Sequence, residues 1–369
     1  MPGKHAILSP SSSARWLVCP PSAVLNAQLE DTNSPYAKEG TLAHSLAEVK
    51  VRKALGEEVV VPICNDAEMS ECTELYCDFI MEAVENARVF CRDPTVYVEQ
   101  EISAEKWAEG CRGTADCILI SDNILHIIDL KYGQLEVSAQ NNSQLRIYAI
   151  SAVDAFAPLY DFKEVKMTIF QPRLNHCDTF SESVEDLMEW AEHTLRPTAE
   201  LAAKGEGEFF AGEHCRFCKV KATCRKRAEY NLMLAQYDFE PAATLEDAEI
   251  EAILAKADAL TAWVADVKEY ALSQALAGKQ WAGYKLVEGR SVRKYTDETA
   301  VADAVRAAGF EPYEHKILGL TAMTKLLGKQ KFDTILGSLV EKPKGKPTLV
   351  PMSDKRPIWN TAKEDFMEE

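Results

Sequence analysis

The sequence predicts an α+β fold: a small sheet flanked by amphipathic helices, with a smaller α+β region toward the C-terminal end. Three observations carry this. Residues 116–120 and 124–130 are apolar, β-branched runs separated by Ser121-Asp122-Asn123, which reads as strand, tight turn and strand. Residues 95–102, TVYVEQEI, alternate like a half-buried strand, and 165–170, VKMTIF, supply another. Helix-period stretches at 36–55, 69–90 and 138–155 lie between and around these strands.

Size and composition narrow the class. The 369 residues allow one large domain or two ordinary ones. A content of 47% hydrophobic and 27% charged residues is that of a globular chain. No apolar run approaches the ~20 residues that a membrane span needs. The first residues, Met-Pro-Gly-Lys-His-Ala-Ile, form no signal-peptide core, so the chain is expected in the cytoplasm where it is made. The eleven cysteines are an odd count in a long chain, which argues for metal or cluster ligation by some of them over a disulfide framework. The net charge of −17 is awkward for a protein that binds phosphate. Any such binding must be local or shared with a partner. One basic run exists: Arg216, Lys219, Lys221, Arg225, Lys226 and Arg227 fall within twelve residues.

In chain order, residues 8–19, LSPSSSARWLVC, offer serine caps and a short helix ending at Cys19-Pro20. The helix 36–55 places Leu42, Leu46 and Val49 on one face and carries His44. Cys64, Cys72, Cys77 and Cys91 match no tight ligand spacing and are read as packing residues. In the strand 95–102, Glu99 and Glu101 serve equally well as solvent-facing charges; Glu101 is the one expected to face a cation. Asp116 opens the first strand of the hairpin. Asp129 sits near the end of the second, and Lys131 follows with one residue between, so both side chains leave the same face of an extended backbone. Two carboxylates and an ammonium converging at one end of a hairpin suit Mg²⁺ or Mn²⁺ with an oriented water beside it. Gln144 and Tyr148 are four apart on the following helix, hence on one face. Residues 183–203 form an amphipathic helix with Ser183 and Asp186 as a capping box and Pro197 as a kink. Cys215-Arg216-Phe217-Cys218 and Cys224 come next. Residues 244–277, after a Thr244 cap, repeat apolar residues at 3–4 spacing through Ile250, Ile253, Ala257, Leu260, Val264, Val267 and Ala271, with Trp263 and Tyr270 off the seam. This helix is expected to pack on the core or to pair with a second copy. Beyond it come a hairpin bent at Glu288-Gly289, helices at 298–308 and 320–338, and a proline-rich basic tail.

The order Gly-x-x-Asp (Gly113 to Asp116), hairpin, Asp129-x-Lys131, Gln144-x-x-x-Tyr148 resembles the PD-(D/E)xK nuclease superfamily in its RecB-like branch. Gly40-x-x-x-His44 resembles that branch's first motif. The resemblance implies an αβββαβ restriction-endonuclease-like core, with His44, Asp116 and Asp129 holding one or two Mg²⁺ or Mn²⁺. It implies that Lys131 positions the attacking water and that Gln144 and Tyr148 support the site or touch DNA. Cys-x2-Cys-x5-Cys at Cys215, Cys218 and Cys224, with distant Cys19-Pro20, resembles the four-cysteine [4Fe–4S] staple of AddB-type and CRISPR-associated nucleases. Thiolates suit iron–sulfur and zinc equally on chemistry alone. The resemblance selects iron–sulfur, in a structural role, because hydrolysis requires no electron. End to end the chain resembles a phage- or prophage-borne family, which implies recombination or replication beside a single-strand-binding or annealing protein, in the host cytoplasm.

Three segments are therefore expected: a nuclease domain over 1–240, a long helix over 244–278 and a small α+β region over 281–369. The expected activity is metal-dependent hydrolysis of DNA phosphodiester bonds, as an exonuclease. The alternative is a DNA-binding or scaffold protein that keeps the fold without the activity. The negative charge favours the alternative and the intact Asp-Asp-Lys set opposes it.

Overall fold

A computed structural model describes residues 7–30, 35–233, 247–287, 295–313 and 317–341. The chain divides into two units, Met1–Ser273 and Gln274–Glu369.

The first unit opens with a 3-10 turn, Pro10–Ser12, and short helices α1 (Ser13–Trp16) and α2 (Ser22–Ala27). Helices α3 (Pro35–Ala54) and α4 (Ala67–Arg88) follow, then β1 (Thr95–Ser103), β2 (Arg112–Ser121) and β3 (Ile124–Leu130). Next come α5 (Ser143–Phe156), β4 (Glu164–Gln171) and β5 (His176–Ser183). The strands form one sheet in sequence order. All neighbours are antiparallel except β3 and β4, whose parallel pairing requires the crossover that α5 provides. Helix, three strands, helix, strand is the predicted αβββαβ order, extended by a fifth strand.

Strand alternation gives the sheet two covered faces. Ile118, Ile120, Leu125, Ile127, Val165, Met167 and Ile169 belong to the same core as α5. Val98, Cys117, Ile128 and Leu130 pack with Ala47, Val51, Tyr76 and Ile80 of α3 and α4. Helix α5 buries every residue from Ile147 to Val153, together with Leu145. A helix apolar on most sides is central by necessity, and Gln144, near its N-terminal end, is left facing the sheet.

Several expectations change. The buried face of α3 is Ala43, Leu46, Ala47 and Val51, while Leu42 is 62% exposed. Residues 176–183 form β5, which alternates half-buried and exposed side chains and so lacked an apolar run. The helix expected over 183–203 is α6 (Val184–Trp190), a π turn over Ala191–Leu195 and α7 (Arg196–Lys204). Ser183 caps α6, accepting from the Asp186 amide at 3.0 Å. The π turn immediately precedes Pro197, which has no N–H for an i−4 bond. Helix α5 starts later than 138, where Asn142 accepts from the Gln144 and Leu145 amides. Cys72, Cys77 and Cys91 are buried and Cys64 half-buried, in keeping with packing.

After α8 (Arg225–Leu232), helix α9 spans Asp247–Leu276; Thr244 lies outside the described residues. The less exposed side of α9 carries Ile253, Ala257, Leu260, Trp263, Val267 and Tyr270, whereas Ile250 and Val264 are exposed. Trp263 and Tyr270 are thus on the seam, each three residues past Leu260 or Val267 and so on the same helix face. In the second unit, α10 (Glu298–Ala307), α11 (Leu320–Leu327) and α12 (Lys329–Leu336) are helical. Gly328, at φ 74°, separates the last two and divides the helix expected over 320–338. Residues 284–287 form no strand, and the turn at Glu288-Gly289 and the tail from 342 lie outside the described residues. No helix among the described residues is long and apolar enough to cross a membrane.

Candidate active site

The sheet comes apart at Asp116. The register that pairs Cys117 with Ile128 places Asp116 opposite Asp129, and the register of β1 with β2 places it opposite Glu99. Backbone pairing skips both positions. On one side Asp116 Oδ2 itself accepts from the Leu130 amide at 2.7 Å, a carboxylate substituting for a ladder carbonyl. On the other side Glu99 takes φ 49°, a left-handed conformation rare for a side-chain-bearing strand residue. Such strain costs on the order of 1–3 kcal/mol and persists where the surroundings impose it. Asp116 is therefore inside β2, four residues past Arg112, and does not open it. Glu99 faces Asp116 while Glu101 is exposed, so the expectation of Glu101 is corrected to Glu99. Alternation made the two equivalent, and the left-handed residue that decides between them is a tertiary effect.

His44, from α3, completes this side. Its Nδ1 lies 3.2 Å from Asp116 Oδ1. One donor atom each from His44, Glu99 and Asp116 falls within 4.8 Å of the others. Burial lowers the His44 imidazole, but the Asp116 charge, aided by Asp129, outweighs it and pushes the pKa up to about 9. Burial, then repulsion from Asp116, pushes Glu99 up to about 7 against the pull of His44. Close carboxylates that resist ionising together are the electrostatic signature of a site short of positive charge.

Asp129 and Lys131 stand beside this group in a closed ring. Lys131 Nζ is 2.9 Å from Asp129 Oδ2 and donates to Gln144 Oε1 at 2.8 Å. Gln144 Nε2 donates to Asp129 Oδ1 at 3.0 Å and to the Tyr148 hydroxyl at 3.2 Å. With Oε1 facing an ammonium and Nε2 facing two acceptors, the amide has only one satisfied orientation. Asp129 Oδ2 is buried and has the Lys131 charge near it but no aligned hydrogen bond. Burial pushes the Asp129 carboxyl up, with Lys131 opposing. Burial lowers Lys131, but Asp129 prevails and raises it. A buried, unsatisfied carboxylate oxygen next to the His44–Glu99–Asp116 donors fits a hard divalent cation. His44, Asp116, Asp129, Lys131, Gln144 and Tyr148 all lie in this neighbourhood, with Glu99 added.

Gly113 explains the glycine of the Gly-x-x-Asp motif. A Cβ there would lie 3.1 Å from Pro10 Cγ and 3.2 Å from Tyr148 Cε1. The N-terminal 3-10 turn packs through this gap against Tyr148. Ser13 in α1 is 2.7 Å from Ser143 by their hydroxyls, one residue before Gln144.

The same N-terminal segment reaches the cysteines. Cys19, Cys215, Cys218 and Cys224 line a single cavity with Arg15, Phe209, Phe210 and His214. Buried Asn26 donates from Nδ2 to Cys218 Sγ at 3.3 Å and accepts the Lys219 amide on Oδ1 at 2.7 Å. Burial lowers the Arg15 guanidinium, and proximity to Cys218 and Cys19 opposes this. Four sulfurs around one cavity, with a half-buried cation and an N–H donor among them, fit an anionic thiolate cluster. The basic run reads differently in three dimensions. Lys221 and Arg227 both pair with Asp266 of α9, and Lys219 Nζ caps the α2 end through the Asn26 and Leu29 carbonyls. Half of the expected patch is internal bracing; Arg216, Arg225 and Lys226 remain exposed.

The match to the family described as "Protein of unknown function (DUF2800)" runs over residues 5–357. The chain belongs to the DUF2800 family. Among solved structures, this DUF2800 protein is similar to a crystal structure of a candidate exonuclease from Eubacterium rectale. The identity is 14%, over 57% of this chain and 85% of that one, with a TM-score of 0.33. A structure of the protein SSO0001 matches at 14% identity over 51% of this chain and 98% of its own length, with a TM-score of 0.25.

Proposed function

We propose that this DUF2800 protein is a divalent-cation-dependent DNA nuclease, acting as an exonuclease, with its active site at the split end of the sheet. The observation that carries the reading is the convergence of His44, Glu99 and Asp116 beside a ring of buried Asp129 with half-buried Lys131 and Gln144. His44, Asp116 and Asp129, with Glu99, would hold Mg²⁺ or Mn²⁺. When bound, the cation supplies Lewis-acid stabilisation of charge on the scissile phosphate and a more acidic water. Lys131, held by Gln144, orients the attacking water and offsets charge developing on the phosphoryl oxygens. Gln144 fixes Lys131 and Asp129 relative to each other, and Tyr148 fixes Gln144.

The four cysteines would hold a structural [4Fe–4S] cluster that ties α1 to the 212–224 segment. Through the Ser13–Ser143 contact and the packing of Pro10 on Tyr148, this tie bears on the catalytic helix. A role in phage recombination or replication beside a single-strand-binding or annealing protein belongs to the same reading and rests on the sequence resemblance. The second reading, a DNA-binding scaffold without activity, draws on the net charge of −17 and the bracing of half the basic run.

Degradation of a fluorescent oligonucleotide with Mn²⁺, with and without chelator, separates the two. Chelator-sensitive degradation lost in Lys131→Ala supports the nuclease, and binding without degradation supports the scaffold. Anaerobic purification with metal analysis tests the cysteines. Iron lost together in Cys19→Ala and Cys215→Ala, but kept in Cys72→Ala, supports the cluster, whereas stoichiometric zinc replaces it with a zinc site.

A further inference from the structure

The turn Cys215-Arg216-Phe217-Cys218 has an anchored side and an exposed side. It is closed by the Cys218 amide donating to the Cys215 carbonyl at 3.1 Å. It is held to α2 by the Lys219 amide and the Cys218 sulfur, both on Asn26. Phe217 takes no part in this anchoring and is 74% exposed. Phe209 and Phe210, which line the cysteine cavity with the turn, are 42% and 50% exposed. Three phenylalanines are thus left partly in water within nine residues of chain, and exposed apolar rings grouped in this way mark an interaction surface. From Cys215 to Ala228 there is no carboxylate, in a chain whose charge is −17. Arg216, Arg225 and Lys226 are exposed there, without an ion pair among the described residues.

We propose that this lobe is a docking surface for single-stranded nucleic acid. Phe217 stacks on a base, Phe209 and Phe210 extend the platform, and Arg216, Arg225 and Lys226 meet phosphates. The inference rests on the DNA-processing reading and adds to it the place and manner of strand binding. The choice of a single strand follows from the balance of charge and aromatic surface. Three free cations are too few to hold a duplex by phosphate contacts alone, where about 6–10 contacts are usual. Glu206, Glu208 and Glu213, just before the turn, are also exposed and narrow the positive footprint further. Stacking must therefore supply much of the affinity, and only unpaired bases present a free face to an aromatic ring. Occupation of this lobe would place the strand on the segment that the cysteines tie to α1.

The test uses the full-length protein without added divalent cation, so that nothing is cleaved, and fluorescence anisotropy of a labelled oligo-dT. Phe217→Ala is expected to weaken binding roughly tenfold, within the range for loss of one stacked base, at metal content equal to the parent's. Phe217→Trp should restore it. Phe90→Ala, which removes an exposed ring from the end of α4, should leave it unchanged. Arg216→Ala should reduce the slope of log affinity against log salt by about 0.7. A duplex of equal length should bind more weakly and ignore Phe217. Parent-like binding by Phe217→Ala, equal loss in Phe90→Ala, or equal dependence of duplex binding on Phe217 overturns the proposal. A parent that degrades DNA with Mn²⁺ but whose oligo-dT affinity ignores this lobe leaves the nuclease standing and sinks the surface. A parent that neither binds nor degrades sinks both.

Discussion

The cation-free site should make the protein less stable as pH rises, across an unusually wide window. His44 is raised from 6.5 to about 9 and Glu99 from 4.5 to about 7. A group whose folded pKa exceeds its unfolded value binds its proton more tightly when folded. The stability it contributes is complete below the unfolded pKa and is lost as pH rises through the folded one. Glu99 thus loses its contribution between about 4.5 and 7, and His44 between about 6.5 and 9. At about 1.4 kcal/mol per tenfold change in proton affinity, the His44 rise corresponds to about 3 kcal/mol. One third of that side chain remains in solvent, which reduces the figure to ~1–2 kcal/mol. A bound divalent cation needs both groups deprotonated, so affinity for Mn²⁺ should climb over the same window in which the cation-free protein weakens. Urea unfolding at pH 5, 7 and 9, with and without Mn²⁺, reads both trends in parent, His44→Gln and Glu99→Gln. The gap between Mn²⁺-loaded and cation-free stability should widen with pH in the parent. His44→Gln should flatten the cation-free curve above pH 6.5, and Glu99→Gln should flatten it below 7. A parent-like decline in His44→Gln, or Mn²⁺ affinity independent of pH, would refute the charge balance drawn for this site.

Other perturbations follow from the same geometry. Asp129 is 2% exposed and paired with the half-buried Lys131, so Asp129→Ala should destabilise the protein by ~1–3 kcal/mol by removing the acceptor of both Lys131 and Gln144. Asp129 keeps the position near the end of β3 that the sequence implied, but it is buried there. Asp129→Asn keeps the size but sets its NH2 against a donor, either Lys131 or Gln144; it should lose Mn²⁺ binding and hydrolysis with a smaller drop in urea midpoint than Asp129→Ala, and an active Asp129→Asn would mean the site is misplaced. Gly113→Ala, with a Cβ only 3.1 Å from Pro10 and 3.2 Å from Tyr148, should cost ~1–3 kcal/mol and slow hydrolysis; a parent-like melting temperature would count against the N-terminal turn packing there. Tyr148→Phe removes the acceptor for one Gln144 N–H and should cost ~1 kcal/mol or less, while hydrolysis falls further than stability accounts for. Loss of activity only in proportion to stability would make Tyr148 a packing residue.

By itself the sequence determined the hairpin, the α5 crossover and the strand after it, because β-branched runs and a central apolar helix are local patterns that burial merely confirms. It also put Asp129 and Lys131 on one strand face and Gln144 and Tyr148 on one helix face by spacing alone, with Asp116 on the neighbouring strand of the hairpin, while His44 entered through its resemblance to a RecB-like motif. The tertiary structure decided the rest. Strand β5 has no apolar run because its half-buried alternation is set by the neighbour it pairs with. Glu99 differs from Glu101 only through a left-handed backbone forced where Asp116 enters the β3 ladder, and no propensity encodes that. Three of the six clustered cations are engaged because Asp266 and the end of α2 face them, and the sequence cannot show which charges meet. Cys19 and Cys215, nearly two hundred residues apart, share a cavity only because α1, α2 and the 212–224 segment fold together. Local chemistry fixes which side chains can act; long-range packing fixes which of them meet.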